Sequence, residues 1–80
     1  MATSVARQVP PLASDVRVDD DRLVVVLTDG RELTVPLEWF PRLRDAKAAQ
    51  RSNWRLIGGG LGIRWDELDE DISVEGLFQP

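Results

Sequence analysis

The sequence contains no cysteine and no histidine, and these two absences exclude several kinds of chemistry. Without cysteine no disulfide can form, and no thiolate can act as a nucleophile or bind a metal. Without histidine the chain lacks the commonest general base, the commonest metal ligand and the usual pH switch. Catalytic triads that require either residue are excluded. We therefore expect a protein that is not an enzyme, with no catalytic residues, no metal ligands and no cofactor.

Positive charge and long apolar runs are also scarce. The chain carries 10 Lys and Arg residues against 14 Asp and Glu residues, which gives a net charge of −4. An acidic chain is a poor candidate for nucleic-acid binding, because the neutralisation of phosphates supplies most non-specific affinity. Residues 1–13 contain no apolar run long enough for a signal peptide or a membrane span. These features favour a cytoplasmic protein that does not enter membranes.

A chain of 80 residues makes one small domain with a thin core. Its hydrophobic content of 42% suits a globular protein, and its charged content of 30% indicates a well-solvated surface rather than disorder. Residues 1–14 are small and polar and include two prolines, which is typical of a mobile terminus. We predict a flexible leader over residues 1–14 and a single α+β domain over residues 15–80.

The first half of the domain is predicted to form a hairpin after a short strand. Residues 16–18 alternate apolar and polar side chains, residues 22–28 are mostly β-branched and apolar, and residues 31–35 alternate again. Asp29 and Gly30 lie between the last two runs. An Asp-Gly pair in that position is the strongest local signal for a hairpin, because glycine adopts the positive φ that a tight turn requires.

A helical segment is predicted between the two halves of the domain. Trp39, Leu43 and Ala46 are spaced at i, i+4 and i+7, which places them on one face of a helix. Pro41 is unfavourable inside a helix but suits its first turn. We therefore predict a short turn ending at residue 40 and a helix over residues 41–51.

A second hairpin is predicted from residues 54–57 and 61–65, with the triple glycine of residues 58–60 as its turn. A phosphate-binding loop would need the pattern GxxxxGK[ST] followed by a helix, whereas these glycines precede a strand. The fold class is therefore α+β. We expect a small antiparallel sheet of two hairpins with one short helical segment packed on one face.

The domain resembles a known family over residues 16–78. The segments that carry the resemblance are LTDGRELTVPLEWFPRL, RSNWRLIGGGLGIRW and DELDEDISVEGLF. They are similar to the small bacterial proteins called the domain-of-unknown-function 2442 family. The resemblance implies an α+β fold, a bacterial origin and a gene neighbourhood like that of toxin–antitoxin pairs. It supplies no established catalytic residues, so none is carried over.

The densest acidic cluster of the chain lies after the second hairpin. It comprises Asp66, Glu67, Asp69, Glu70 and Asp71. Such clusters can hold Mg²⁺ or Ca²⁺, but the spacing does not match an EF-hand loop. The cluster can also be a solvated loop that protects a sheet edge, or a patch that attracts a basic partner. We take these five residues, with the aromatic Trp65 and Phe78, as candidates for binding a protein partner.

A basic counterpart lies on the predicted helix. Arg44, Lys47 and Arg51 are spaced at i, i+3 and i+7, so a continuous helix would present them on one face. Such a face could contact phosphates, but it is also the ordinary solvent face opposite an apolar stripe. Only one helix is predicted, so a helix-turn-helix is not expected.

The sequence favours a non-catalytic protein-interaction or regulatory module. The family resemblance implies that it is antitoxin-like and binds a partner encoded nearby. A nucleic-acid-associated accessory protein that uses Arg44, Lys47 and Arg51 is the first alternative. A metal-dependent enzyme that uses the carboxylates of residues 66–71 is the second. A homodimer also fits the sequence, because a two-fold interface would bury exposed apolar surface.

Overall fold

The computed structural model describes residues 11–78, which form two three-stranded antiparallel sheets. The first sheet has the order β1-β2-β3, with strands Ala13–Val18, Arg22–Leu27 and Glu32–Pro36. The second has the order β4-β5-β6, with strands Arg55–Ile57, Gly62–Trp65 and Glu70–Ser73. The predicted α+β class is confirmed. The two predicted hairpins lie in separate sheets, and β1 and β6 each add a third strand to one of them.

The helical part of the chain is shorter and more divided than predicted. It consists of α1 (Pro41–Arg44), α2 (Ala48–Arg51) and three 3₁₀ turns at Leu37–Trp39, Gly58–Gly60 and Glu75–Phe78. The prediction of one helix over residues 41–51 is wrong, because Lys47 is extended, with ψ of 156°. Among residues 11–78, no helix has the length and apolar character needed to cross a bilayer.

The first hairpin forms where the Asp-Gly pair predicted it. The backbone N–H of Leu27 donates to Arg31 O at 2.8 Å, and the N–H of Gly30 donates to Leu27 O at 3.0 Å. Gly30 has φ of 95°, a conformation that glycine adopts without steric cost. The Asp29 carboxylate accepts the Arg31 N–H, and this bond lowers the pKa of Asp29. The turn therefore holds β2 and β3 in a fixed register.

Strand β1 begins at Ala13, two residues before the predicted start of the domain. Its pairing with β2 shifts register between Ala13 and Asp15, which is a β-bulge. The bulge allows Ala13 and Val16 to be buried while Ser14 and Asp15 are exposed between them. Residues 1–10 of the predicted leader lie outside the described part of the chain.

A single apolar core lies between the elements and draws on both sheets. Strand β2 buries Leu23, Val25 and Leu27 at alternate positions, as a half-buried strand requires. The second sheet and the helical segments supply further side chains. These are Ile63, Trp65, Ile72, Leu37, Leu43, Val74 and Leu77. Burial of each large apolar side chain stabilises the fold by roughly 1.5–3 kcal/mol.

The turn at Gly58–Gly60 touches the first sheet and so joins the two halves of the molecule. Gly60 is buried, with φ of 107°. A β-carbon at this position would lie 2.6 Å from the backbone oxygen of Ala13 in β1. Real β-carbons do not approach backbone oxygen so closely, so the contact between the turn and β1 requires glycine.

Candidate functional site

Strand β6 lies at an edge of the second sheet, with β5 as its neighbour. The backbone N–H of Val74 donates to Leu61 O at 3.0 Å, and the next pair along the ladder is Gly62 with Ser73. Hydrogen-bonded and non-bonded pairs alternate in an antiparallel ladder. The backbone of Ile72 therefore faces β5, and the backbone N–H and C=O groups of Asp71 and Ser73 face outward.

Two apolar depressions lie on either side of this edge. The first, here the Trp39 depression, has a volume of about 340 Å³ and is lined by Trp39, Phe40, Asp71, Ile72, Ser73, Gly76 and Leu77. The second, here the Leu61 depression, has a volume of about 300 Å³ and is lined by Ile57, Gly58, Leu61, Gly62, Asp71, Ile72 and Ser73. Residues 71–73 of β6 border both, so the edge strand separates them.

Each depression carries a large apolar side chain that the fold leaves exposed. Trp39 is 52% exposed and Leu61 is 47% exposed. Phe78 is 43% exposed, and the guanidinium of Arg31 lies 5.7 Å from the centre of its ring. Aromatic residues are enriched at protein interfaces, where they act as anchors. Trp39 and Leu61 were not among the predicted site residues, and no local signal in the sequence distinguishes them from core residues.

The acidic cluster is held by arginines on the neighbouring strands. Arg64 of β5 donates to the carboxylates of Asp66, Asp69 and Asp71, each at 2.9 Å. Arg55 of β4 forms a two-pronged pair with Asp66, at 2.7 and 3.1 Å. These charged hydrogen bonds lower the pKa of Asp66 to about 2 and raise the pKa values of both arginines.

The two glutamates of the cluster also have partners. Glu67 accepts a hydrogen bond from the Gln50 side chain at 3.1 Å. Glu70 lies 4.0 Å from Arg42, whose guanidinium also donates to Asp69 O at 2.7 Å. Three arginines against five carboxylates leave a local excess of two negative charges. Within residues 11–78, no group of three or more acidic side chains has a geometry that could hold a metal ion.

The low pKa of Asp66 predicts an acid limit to stability. Its pKa is about 2 in the folded protein and 3.8 ordinarily, so the folded state favours the ionised form. The resulting stabilisation is fully present above about pH 4 and is lost as the pH falls toward 2. We expect the free energy of unfolding, measured by urea denaturation, to decline less from about pH 4 to pH 2 in Asp66→Asn than in the unsubstituted protein. Glu75→Gln removes an exposed carboxylate with no ion pair among the described residues, so it should leave the decline unchanged.

The predicted aromatic candidates occupy different environments. Trp65 is fully buried, and its indole N–H donates to Arg51 O at 2.9 Å, so it is a core residue rather than a contact for a partner. Its place on β5, on the same face as Ile63, explains the burial. Trp54 is half-buried against the core, and Phe78 is exposed. Trp39 is therefore the most exposed tryptophan.

The three predicted basic residues do not form one stripe, because α1 and α2 are separate helices. Arg51 is tied into the fold: its guanidinium donates to Leu43 O at 2.9 Å, to Arg44 O at 2.7 Å and to Asp20 at 3.1 Å. Arg44 pairs with the adjacent Asp45 at 3.0 Å. Lys47 is exposed, and no ion pair joins it to any residue from 11 to 78.

Arg51 is expected to matter for stability. Its side chain is only 11% exposed and donates hydrogen bonds to two carbonyls at the end of α1. We expect Arg51→Met to lower the free energy of unfolding by about 2 kcal/mol, because two carbonyls lose a charged donor. Arg44→Met removes only a surface pair and should cost less than about 0.5 kcal/mol. Urea denaturation followed by circular dichroism measures both, and equal losses would contradict the proposed role.

Comparison with known proteins places the chain in a family. Residues 13–80 match the family described as "Protein of unknown function (DUF2442)". A crystal structure of a protein of unknown function from Rhodospirillum rubrum ATCC 11170 is similar, with 31% sequence identity and a TM-score of 0.74 over 85% of this chain and 84% of that one. No curated protein matches. The resemblance inferred from the sequence is confirmed, and the chain belongs to the DUF2442 family of proteins of unknown function.

Proposed function

We propose that this protein is a non-catalytic interaction module that binds and regulates a protein partner encoded nearby, in the manner of an antitoxin. The observation that carries the proposal is the exposed Trp39 in an apolar depression beside the edge of β6. A half-exposed tryptophan at an open sheet edge is typical of a surface that a partner covers. The antitoxin-like role and the neighbouring gene rest on the family resemblance.

The chemistry of the polar side chains supports a binding role over catalysis. The chain has no cysteine or histidine to act as nucleophile or base. The carboxylates Asp66, Asp69 and Asp71 accept hydrogen bonds from Arg64. Hydrogen bonds from Arg55 and Arg64 lower the pKa of Asp66 to about 2, so this carboxylate is a weak base at neutral pH. The cluster therefore supports the fold of the β5–β6 hairpin.

Co-expression with the products of the flanking genes tests the proposal. The tagged protein is co-expressed with each neighbour in turn, and the purified material is analysed by size-exclusion chromatography with light scattering. We expect a complex of fixed stoichiometry with one of the two neighbours. If neither neighbour forms such a complex, the proposed function is wrong.

Matched substitutions show whether the complex uses this surface. Trp39→Ala removes the exposed anchor and should weaken the complex by at least about tenfold, since central aromatic residues carry much of the affinity at interfaces. Phe78→Ala, at an exposed aromatic that lines neither depression, serves as the control and should change affinity little. Equal effects of the two substitutions would place the interface elsewhere.

A further inference from the structure

Among the described residues, β6 differs from the other edge strands. Edge strands expose unpaired backbone groups, and most proteins protect them with bulges, prolines or short length. The edge of β1 contains the bulge at Ala13–Asp15, β3 ends in Pro36, and β4 has only three residues. Strand β6 has a regular register over its four residues, without a bulge or a proline, and its charged residues Glu70 and Asp71 are paired with Arg42 and Arg64. Its edge is therefore geometrically suited to accept another strand.

We propose that β6 accepts an extended segment of another protein as an additional strand of the second sheet. This inference rests on the proposed function and specifies how the partner binds. The outward N–H and C=O groups of Asp71 and Ser73 offer two donors and two acceptors to such a segment. No hydrogen bond joins these four groups to any residue between 11 and 78. An added strand would satisfy all of them in ladder geometry.

The two depressions indicate which side chains the incoming segment should carry. Successive side chains of a strand point to opposite faces of its sheet. The Trp39 depression and the Leu61 depression both border residues 71–73 of β6. Two adjacent apolar residues in the segment would therefore enter one depression each. The expected segment contains such a pair, with side chains large enough to cover Trp39 and Leu61.

The charges beside the edge specify a basic segment. Glu75 precedes Gly76, which lines the Trp39 depression, and Asp71 lines both depressions. Glu75 is exposed and is in no ion pair with any of residues 11–78, and the acidic cluster that includes Asp71 keeps its excess of two negative charges. Lys or Arg residues that flank the apolar pair would lie near these carboxylates and favour association.

A second copy of the chain fits the edge less well. Pairing of β6 with another β6 would bring Glu70 and Asp71 toward the carboxylates of the first copy. The strand also has no free apolar side chain to offer, because Ile72 is 4% exposed and belongs to its own core. Like charges and empty depressions both weaken such a pairing. We therefore assign the edge to a basic, apolar segment of a different protein.

A display library of short random segments, selected on the purified full-length protein, tests the chemistry of the occupant. We expect enrichment of adjacent apolar residues flanked by Lys or Arg. A synthetic copy of an enriched segment should bind at least about tenfold more tightly than the same peptide with Glu in place of its basic residues. Equal binding of the two peptides would overturn the assignment of charge.

Amide hydrogen exchange tests the mode of binding on the unmodified protein. In the free protein, we expect fast exchange at Asp71 and Ser73 and slower exchange at Ile72, whose N–H faces β5. Saturation with the enriched peptide should slow exchange at Asp71 and Ser73 by at least about tenfold and change Ile72 little. Binding without this alternating protection would show that the segment does not add as a strand.

A pair of substitutions at Ser73 provides a second measurement. Ser73→Pro removes the outward N–H, and proline is tolerated at a strand edge. Ser73→Ala keeps that N–H and removes only the hydroxyl that accepts the Gly76 N–H at 3.3 Å. We expect Ser73→Pro to lose peptide binding by at least about fivefold relative to Ser73→Ala. The peptide with its backbone amides methylated should also lose binding to the unmodified protein, whether or not Ser73→Pro folds.

The outcomes separate this inference from the proposed function. If a flanking gene product binds but the exchange of Asp71 and Ser73 does not change in the complex, strand addition is wrong and the interaction role stands. If neither neighbour binds but basic peptides bind with alternating protection, the edge is confirmed and the identity of the partner is wrong. Self-association of the protein alone, with protection at both amides, would assign the edge to a second copy instead.

Discussion

Replacing Gly60 with alanine is expected to lower the free energy of unfolding by at least about 3 kcal/mol. Two costs combine at this position. A residue with a β-carbon in the left-handed region costs about 1–2 kcal/mol, and Gly60 has φ of 107°. The new methyl group would also lie 2.6 Å from Ala13 O and 3.1 Å from Ala13 N, which are backbone atoms of β1. Relief of that overlap requires the turn to separate from the first sheet.

Gly59→Ala is the matched control for this substitution. Gly59 also has a positive φ, of 69°, but a β-carbon there meets no atom within 4 Å. Its expected cost is about 1 kcal/mol, from the backbone conformation alone. Urea denaturation monitored by circular dichroism gives both values. A domain of this length has a total stability of roughly 4–12 kcal/mol, so the difference is readily measured. Equal losses for both variants would contradict the role assigned to the contact with Ala13.

Truncation of Trp65 to alanine is expected to cost about 3–5 kcal/mol. The side chain is fully buried and is the largest in the core. Its removal leaves a cavity in a core whose other large side chains, such as Ile63 and Leu43, are already fully buried. It also deprives Arg51 O of the indole donor at 2.9 Å. In a domain of this length, such a loss should lower the melting temperature by more than about 10 °C.

Trp39→Ala provides the comparison for the Trp65 substitution. Trp39 is 52% exposed, so its truncation removes roughly half as much buried surface as that of Trp65 and should cost less than about 2 kcal/mol. Far-ultraviolet circular dichroism and thermal melting measure both variants without reliance on tryptophan fluorescence. We expect Trp65→Ala to melt at a lower temperature than Trp39→Ala. A larger loss for Trp39→Ala would show that the exposed tryptophan stabilises the core.

The first hairpin could be predicted because its signals are local. The Asp29-Gly30 pair and the β-branched, apolar run of residues 22–28 act over a few residues. The positions of β2 and β3 could therefore be predicted from the turn residues and the strand pattern, without knowledge of distant contacts. The confirmed family resemblance similarly depended on continuous segments of sequence.

Strand β6 could not be predicted from its own residues. Glu70 and Asp71 suggest a solvated loop, because charged residues are depleted in strands. The strand forms because Arg64, on the adjacent β5, pairs with three of the nearby carboxylates. That neutralisation depends on the pairing of β5 with β6, which becomes visible only in the folded chain.

The division of the predicted helix has a similar long-range cause. Residues 41–51 have good helical periodicity, yet the carbonyls of Leu43 and Arg44 accept hydrogen bonds from the Arg51 guanidinium. The Arg51 guanidinium thus stabilises the end of α1, and the chain is extended at Lys47 before α2 begins. The candidate surface could not be predicted from the sequence for a similar reason. The exposure of Trp39 and the burial of Trp65 depend on tertiary packing, which the periodicity of each segment does not determine.

The order of strands within the sheets has a consequence for how quickly the protein folds. Each sheet consists only of strands that follow one another along the chain, β1-β2-β3 and then β4-β5-β6. Such meanders form through short loops, so bringing neighbouring strands together costs little entropy of loop closure. We expect each half to assemble early. We then expect the rate-limiting step of folding to be formation of the contact between the Gly60 turn and β1, which completes the shared core.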